Sequence, residues 1–298
     1  MKVVVTGASG LIGSALVQSL RADNVDIVRL VRRQARSADE RQWDPARRGL
    51  DAAHLADADA VVHLAGAGIG DKRWSDDYKR TVVRSRVDGT MTIATTIATL
   101  PESSRPKVLV SASAVGFYGE TGEEAADESS PSGQGFLADV VRQWEAAAQP
   151  AVDAGVRVVH PRSGIVLSAD GGALGKVLPI FKLGLGGRLG SGKQWMSWVA
   201  LADEIAALRF LLTTDIAGAV NVTAPEPVRN RDYTKAIAHA LGRPAFAWVP
   251  PPALRAALGD FADEGVLVSQ RVVPARLEEA GFVFTYADID AALAALIG

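Results

Sequence analysis

The chain has 298 residues, 48% of them hydrophobic, with 32 Lys and Arg against 34 Asp and Glu for a formal net charge of −2. That length can bury a substantial core in one large or two interleaved domains, and the near-neutral balance provides no broad electrostatic pull toward nucleic acid or an anionic membrane. The absence of cysteine excludes disulfides, thiolate nucleophiles and Cys-ligated metals.

The N-terminal run Val3-Val4-Val5 opens into Thr6-Gly7-Ala8-Ser9-Gly10-Leu11-Ile12-Gly13. A strand that enters a turn with glycines three apart, then an amphipathic helix (Leu11, Ala15, Leu16, Leu20), has the form of a dinucleotide-phosphate site. Gly7 suits the tight turn, Gly10 lets backbone amides approach a pyrophosphate, and Gly13 lets the helix lie close on the sheet. The unpaired amides and partial positive charge of the helix start would face the anion, so contacts are expected from Gly7 and from Ser9, Gly10, Leu11, Ile12 and Gly13. No basic-then-apolar leader precedes this strand, and charges break the hydrophobic stretches within the ~20 residues of a membrane span, so a soluble, cytoplasmic protein is expected.

A second strand is expected over 25–31. It ends Arg29-Leu30-Val31-Arg32-Arg33, with Arg36 beyond and no carboxylate until Asp39. An NAD site wants an acid here for the ribose hydroxyls, whereas arginine suits a 2′-phosphate, so Arg32 and Arg33 predict NADP(H). The competing reading is a solvated basic loop.

Further strands are expected at 59–66, 107–113 and 156–162, with long helices at 79–100 and 136–154. This alternation predicts an α/β fold with a doubly wound parallel Rossmann sheet and ligands at the strand carboxyl ends, where Leu64, Ala65, Gly66, Ser111, Pro161 and Arg162 become candidate cofactor contacts. After Ser168 glycines crowd 171–192, tryptophans appear and Pro250-Pro251-Pro252 follows. A dinucleotide-binding domain over 1–167 is therefore expected, then a smaller, partly interleaved C-terminal substrate domain over 168–298, with 198–225 returning to the sheet.

Trp195 and Trp198, near Arg188 and Lys193, read either as an aromatic and cationic substrate face or as core. The four histidines are widely spaced with no metal-ligand pair, and His63 and His160 read as core. Glu123-Glu124 and Asp127-Glu128 read as solvated loop. Asp203 reads as a helix cap.

The Thr6–Gly13 turn, Val62-His63-Leu64-Ala65-Gly66, Ser111-Ala112-Ser113 and Tyr118-Gly119 together resemble an extended short-chain dehydrogenase/reductase. The segments 85–90, 187–198, 221–227 and 274–282 resemble its atypical epimerase-like subgroup, the NAD-dependent epimerase/dehydratase or sugar-nucleotide epimerase family, whose members carry a C-terminal domain of unknown function, here about 248–298. Ordinary members use Ser, Tyr and Lys, the lysine and the nicotinamide charge lowering the tyrosine pKa for proton exchange with substrate. Ser113 fits the serine. Aligning Glu145 with the glutamate after the motif puts Leu137 and Val141 at the Tyr and Lys positions, and a shift by one gives Phe136 and Val140. Arg86 stands at the usual Asn position. The resemblance implies that this departure is a property of the subgroup.

A site lacking its positioned acid forfeits on the order of 10²–10⁴ in rate, although hydride transfer itself belongs to the cofactor. Tyr118, Glu120, Lys79, Arg86 and Lys193 are the candidate replacements. Tyr118 would need a phenol pKa lowered by Arg86, and Arg86 reads as a permanent cation clamping substrate or cofactor amide. Two functions follow: an NADP(H)-linked oxidoreductase or epimerase-like enzyme acting on a small carbonyl or sugar-like substrate, with Lys193, Trp195 and Trp198 on the substrate side, or a non-catalytic NADP(H) sensor. The parent family's habit implies a homodimer through helices like 79–100 and 136–154.

Overall fold

The computed structural model describes residues 1–298. Its strands are β1 (Lys2–Thr6), β2 (Asp26–Val31), β3 (Glu40–Gln42), β4 (Ala60–His63), β5 (Val108–Ser111), β6 (Ser113–Ala114), β7 (Arg157–Ser163), β8 (Ile165–Ser168), β9 (Gly187–Leu189), β10 (Trp195–Met196), β11 (Trp198–Ala200), β12 (Gly218–Val222), β13 (Val228–Arg229) and β14 (Ala247–Val249). Its helices are α1 (Leu11–Ala22), α2 (Asp76–Thr99), α3 (Phe136–Ala146), α4 (Gln149–Asp153), α5 (Gly172–Lys182), α6 (Leu201–Thr213), α7 (Asn230–Ala240), α8 (Pro251–Leu258), α9 (Ala275–Glu279) and α10 (Ile289–Ile297). None is long and apolar enough to cross a membrane.

The central sheet runs in the order β12-β7-β5-β4-β1-β2-β3, with β6 also pairing β7, and every pair is parallel. Alternate residues of each strand face opposite helix layers. Val3 and Val5 join Val62, Val110 and Val159 against α1 and α6, through Leu16, Leu20, Leu208 and Leu211. Val4 joins Val61, Leu109 and Val158 against α2, through Ile93 and Ile97. Apolar burial on both faces explains why these strands read as continuous hydrophobic runs. The chain from β8 onward builds another core, with Leu167, Leu174, Trp198, Ile237 and Leu293 fully or almost fully buried.

The expected helix 136–154 is two helices, because Pro150 lacks an amide proton and its ring would clash with the carbonyl four residues back. Asp203 does not cap α6. It lies fully buried in the first turn and accepts from the amides of Thr285 and Tyr286, at 2.7 and 2.9 Å, tying the C-terminal segment to α6.

Candidate functional site at the carboxyl edge of the sheet

The turn after β1 is shaped by what it excludes. Gly7 has φ +67°, and a Cβ there would lie 2.7 Å from the Leu64 carbonyl carbon. A Cβ on Gly13 would meet the Gly7 oxygen at 2.2 Å, so α1 starts directly against the turn. Gly10 stands at the N-cap of α1 without a side-chain cap, no acid occupies the first turn, and the amides of Leu11 and Ile12 donate to nothing in the chain. A helix start with orphan donors and no side chain in the approach fits a pyrophosphate. Thr6 completes the wall: its hydroxyl accepts from the amides of Leu64 and Ala65 and pairs with His63 Nδ1 at 2.7 Å. His63 is fully buried, and burial pushes it down to about 3, so its ring is neutral.

At the end of β2 the arginines separate. Arg33 forms a two-point ion pair with Glu40 at 2.7 and 2.6 Å, Arg29 does the same with Asp39, and Arg32 and Arg36 remain exposed with no side-chain partner. The Arg33 hydrogen bond holds Glu40 down at about 2, and Arg29 keeps Asp39 well below the usual carboxylate range. Asp39 and Glu40 therefore stay ionised, engaged by Arg29 of β2 and Arg33 just after it.

The hydroxyls expected to serve proton transfer belong to an internal network. Ser113 donates to Glu145 at 2.6 Å, Arg162 grips both Glu145 oxygens at 2.8 Å, and Arg162 also donates to the Tyr118 oxygen at 3.0 Å. Tyr118 donates to Asn221 Oδ1 at 2.7 Å, and Asn221 donates to the Val273 carbonyl. Burial raises the Tyr118 pKa against the pull of Arg162, the opposite of the lowering expected from Arg86, which lies elsewhere. For Glu145, burial pushes upward, but the Arg162 guanidinium outweighs it and leaves the carboxyl below its ordinary value. Arg162, expected on the cofactor, thus has its guanidinium spent on Glu145 and Tyr118. It also stacks 3.4 Å above the Phe117 ring. Pro161 sits in β7 opposite Val220, and the Ser111 hydroxyl is buried without a partner.

Arg86 comes from α2 and reaches the end of β4. It donates to the Ala67 and Val82 carbonyls at 2.9 and 3.2 Å, and its guanidinium lies 5.0 Å from the Trp144 ring. It pairs with neither Asp88 nor Glu120. The face of α3 where Tyr and Lys were sought carries Val140 and Val141, both buried, while Leu137 lines a cleft of about 200 Å³ with Gly116, Glu120, Glu264 and Gln270. Glu264 closes the start of α3, accepting from the amides of Phe136 and Leu137 at 2.9 and 3.0 Å, and Gly135, at φ +104°, leaves it room.

The two tryptophans part company. Their spacing of three in extended chain puts them on opposite faces. Trp198 is core, donating to the Glu226 carbonyl, and is withdrawn from any substrate. Trp195 is half-buried between Arg229 and Arg271, whose guanidinium carbons lie 4.3 and 4.8 Å from its ring, and it donates to Glu123. The Lys193 side chain is exposed. Glu128, expected in a solvated loop, instead accepts from the Asn221 amide at 2.8 Å. Glu145, Glu264 and Asn221 were missed as site-forming residues. The available signal was a carboxylate or amide inside an otherwise apolar stripe, which needs a partner.

The chain is similar to known proteins over its whole length. The description "NAD dependent epimerase/dehydratase family" matches residues 3–223, and a domain of unknown function, DUF1731, matches 249–296. The chain belongs to the NAD-dependent epimerase/dehydratase family. An epimerase family protein of Mycobacterium tuberculosis is 44% identical over 98% of this chain and 96% of its own length. A chloroplastic homologue of SDR39U1 from Arabidopsis thaliana is 40% identical over 100% of this chain and 87% of its own. The human epimerase family protein SDR39U1, solved with NADPH, superposes with a TM-score of 0.91 at 33% identity, covering 100% of this chain and 99% of that one.

Proposed function

We propose that this protein binds NADP(H) and acts as a reductase of a small carbonyl substrate without the family's Tyr and Lys pair. The observation that carries the reading is the helix start at Leu11 and Ile12, whose amides have no partner and whose approach is kept clear by Gly7, Gly10 and Gly13. Those amides would hold the pyrophosphate, and Arg32, free of any ion pair beside the Arg33–Glu40 pair, would hold the adenosine 2′-phosphate. The human relative solved with NADPH supports the same choice.

The bound dinucleotide would supply a hydride to the carbonyl carbon. Arg86 would clamp the substrate beside the hydride donor, and water would give the alkoxide that forms its proton, since the Ser113 and Tyr118 hydroxyls are committed to Glu145 and Asn221. Those committed hydroxyls also favour a second reading, a binding-only NADP(H) sensor. The assignment of 168–298 as the substrate side, the cytoplasmic setting and a homodimer belong to the same proposal.

Calorimetry with NADPH and NADH tests the core of it. Heat from NADPH with at least about tenfold weaker NADH is expected. No heat from either nucleotide would remove the proposal. NADPH consumption with a carbonyl panel separates the reductase from the sensor.

A further inference from the structure

Arg86 carries a positive charge that nothing in the chain balances. Arg162, Lys79 and Lys176 each have an acid: Glu145, Asp260 and Asp71. Arg86 donates only through Nη1, to two backbone carbonyls, while Nε and Nη2 make no hydrogen bond in the chain and are not completely buried. It is largely withdrawn from water, and that desolvation pushes its pKa down to about 10, with only Tyr78 pulling the other way. A guanidinium mostly withdrawn from water without a counter-charge is costly, and an anionic ligand would relieve that cost.

Its place limits which ligand that is. A Cβ on Gly66 would lie 3.5 Å from Arg86 Cζ and Nη1, so the guanidinium packs against the chain just after β4, at the carboxyl edge of the sheet. A dinucleotide's pyrophosphate is met by the amides at the start of α1 and its adenosine phosphate by Arg32, while its hydride-bearing end is neutral when reduced and cationic when oxidised. The missing negative charge therefore comes from something other than the cofactor. The planar fork with two unused edges matches a carboxylate in two-point contact.

Building on the reductase reading, we infer that the substrate is a 2-oxo acid or a close relative, a carbonyl flanked by a carboxylate that docks on Arg86. Recognition of the carboxylate by Nε and Nη2 sets the carbonyl beside the hydride donor, and the charge that would repel an oxidised nicotinamide is neutralised by the substrate itself.

The test titrates NADPH-loaded protein with oxamate, a 2-oxo acid isostere, and with uncharged oxamide, following heat. Oxamate is expected to bind at least about tenfold more tightly than oxamide. Arg86→Gln should remove that preference while keeping NADPH affinity within about threefold, and Arg86→Lys should keep part of it. Equal or absent binding of the two probes by the wild-type protein overturns the inference, and this needs no variant to fold. An Arg86→Gln protein of unchanged melting temperature that loses NADPH would make Arg86 a cofactor ligand and overturn it too. Failure of the wild type to bind NADPH would remove the cofactor reading, and this inference with it.

Discussion

Arg33 grips Glu40 with both terminal nitrogens, at 2.7 and 2.6 Å, and leaves the adjacent Arg32 without a partner. Two neighbouring arginines at the end of β2 thus have different work. Arg32→Ala should weaken NADPH by about 10- to 100-fold, the worth of one charge-assisted contact to phosphate, and leave NADH nearly unchanged. Arg33→Ala should cost less NADPH affinity but lower the melting temperature, because buried Glu40 loses its two-point partner and keeps only Arg29, at 3.3 Å. Calorimetry and thermal unfolding on the two variants separate the roles, and equal NADPH losses would return both arginines to the phosphate.

The Gly7–Gly13 contact makes a second discrimination. Gly13→Ala places a methyl 2.2 Å from the Gly7 oxygen, so the turn or the helix must shift. Loss of dinucleotide binding is expected together with a stability loss of about 1–3 kcal/mol in urea unfolding. Gly10→Ala differs, since its nearest atom is 3.4 Å away and its φ is −80°. It should fold as the wild type does and lose affinity only through the methyl at the phosphate approach. A Gly10→Ala protein that binds NADPH normally would show that no ligand comes close there.

The Glu145–Arg162 pair is almost closed to water, with side-chain exposures of 15% and 5%. Arg162→Met leaves the Glu145 carboxylate buried beside Ser113 alone, and a loss of about 3–5 kcal/mol in unfolding free energy is expected. Tyr118→Phe removes the donor to Asn221 and an acceptor for Arg162, for a loss of about 1–3 kcal/mol. If Tyr118 is only structural, the pH profile of any NADPH consumption keeps its shape in Tyr118→Phe. A profile that loses its acidic or basic limb would restore the phenol as proton donor.

The parallel sheet was legible because burial on both faces writes itself into continuous apolar runs such as Val3–Val5 and Val61–Val62, and the turn at Gly7 and Gly13 because only glycine fits there. Tertiary pairing was not legible. Nothing local in the sequence says that Arg33 turns back to Glu40, that Tyr118 finds Asn221 a hundred residues away, or that Glu264 caps α3 from the far side of the cleft. The two tryptophans show the same limit: their spacing puts them on opposite faces, but which face is core depended on the packing of α7 and α10 around Trp198.

Glu204 supplies a pH dependence with a definite sign. Its carboxyl is almost fully buried in α6, accepts from the Ser163 hydroxyl at 2.7 Å through one oxygen, and has no partner for the other. Burial pushes it up to about 7 from an ordinary 4.5. Between those values the folded protein holds a proton that the unfolded chain has released, so the contribution of Glu204 to stability falls as pH rises from about 4.5 to about 7 and is flat above. At about 1.4 kcal/mol per pKa unit the fall is on the order of 3 kcal/mol. Glu204→Gln keeps an acceptor for Ser163 and cannot ionise, so its curve should lack this fall, apart from a pH-independent offset for burying the amide. Burial also raises Glu128, in the same direction, and lowers His63 and His160, in the opposite one; all three contribute alike in both proteins and cancel in their difference. Urea unfolding at pH 5, 6, 7 and 8 reads the difference directly. Curves that run parallel across this range would mean that Glu204 ionises freely in the folded protein, through water reaching the oxygen that has no partner in the chain.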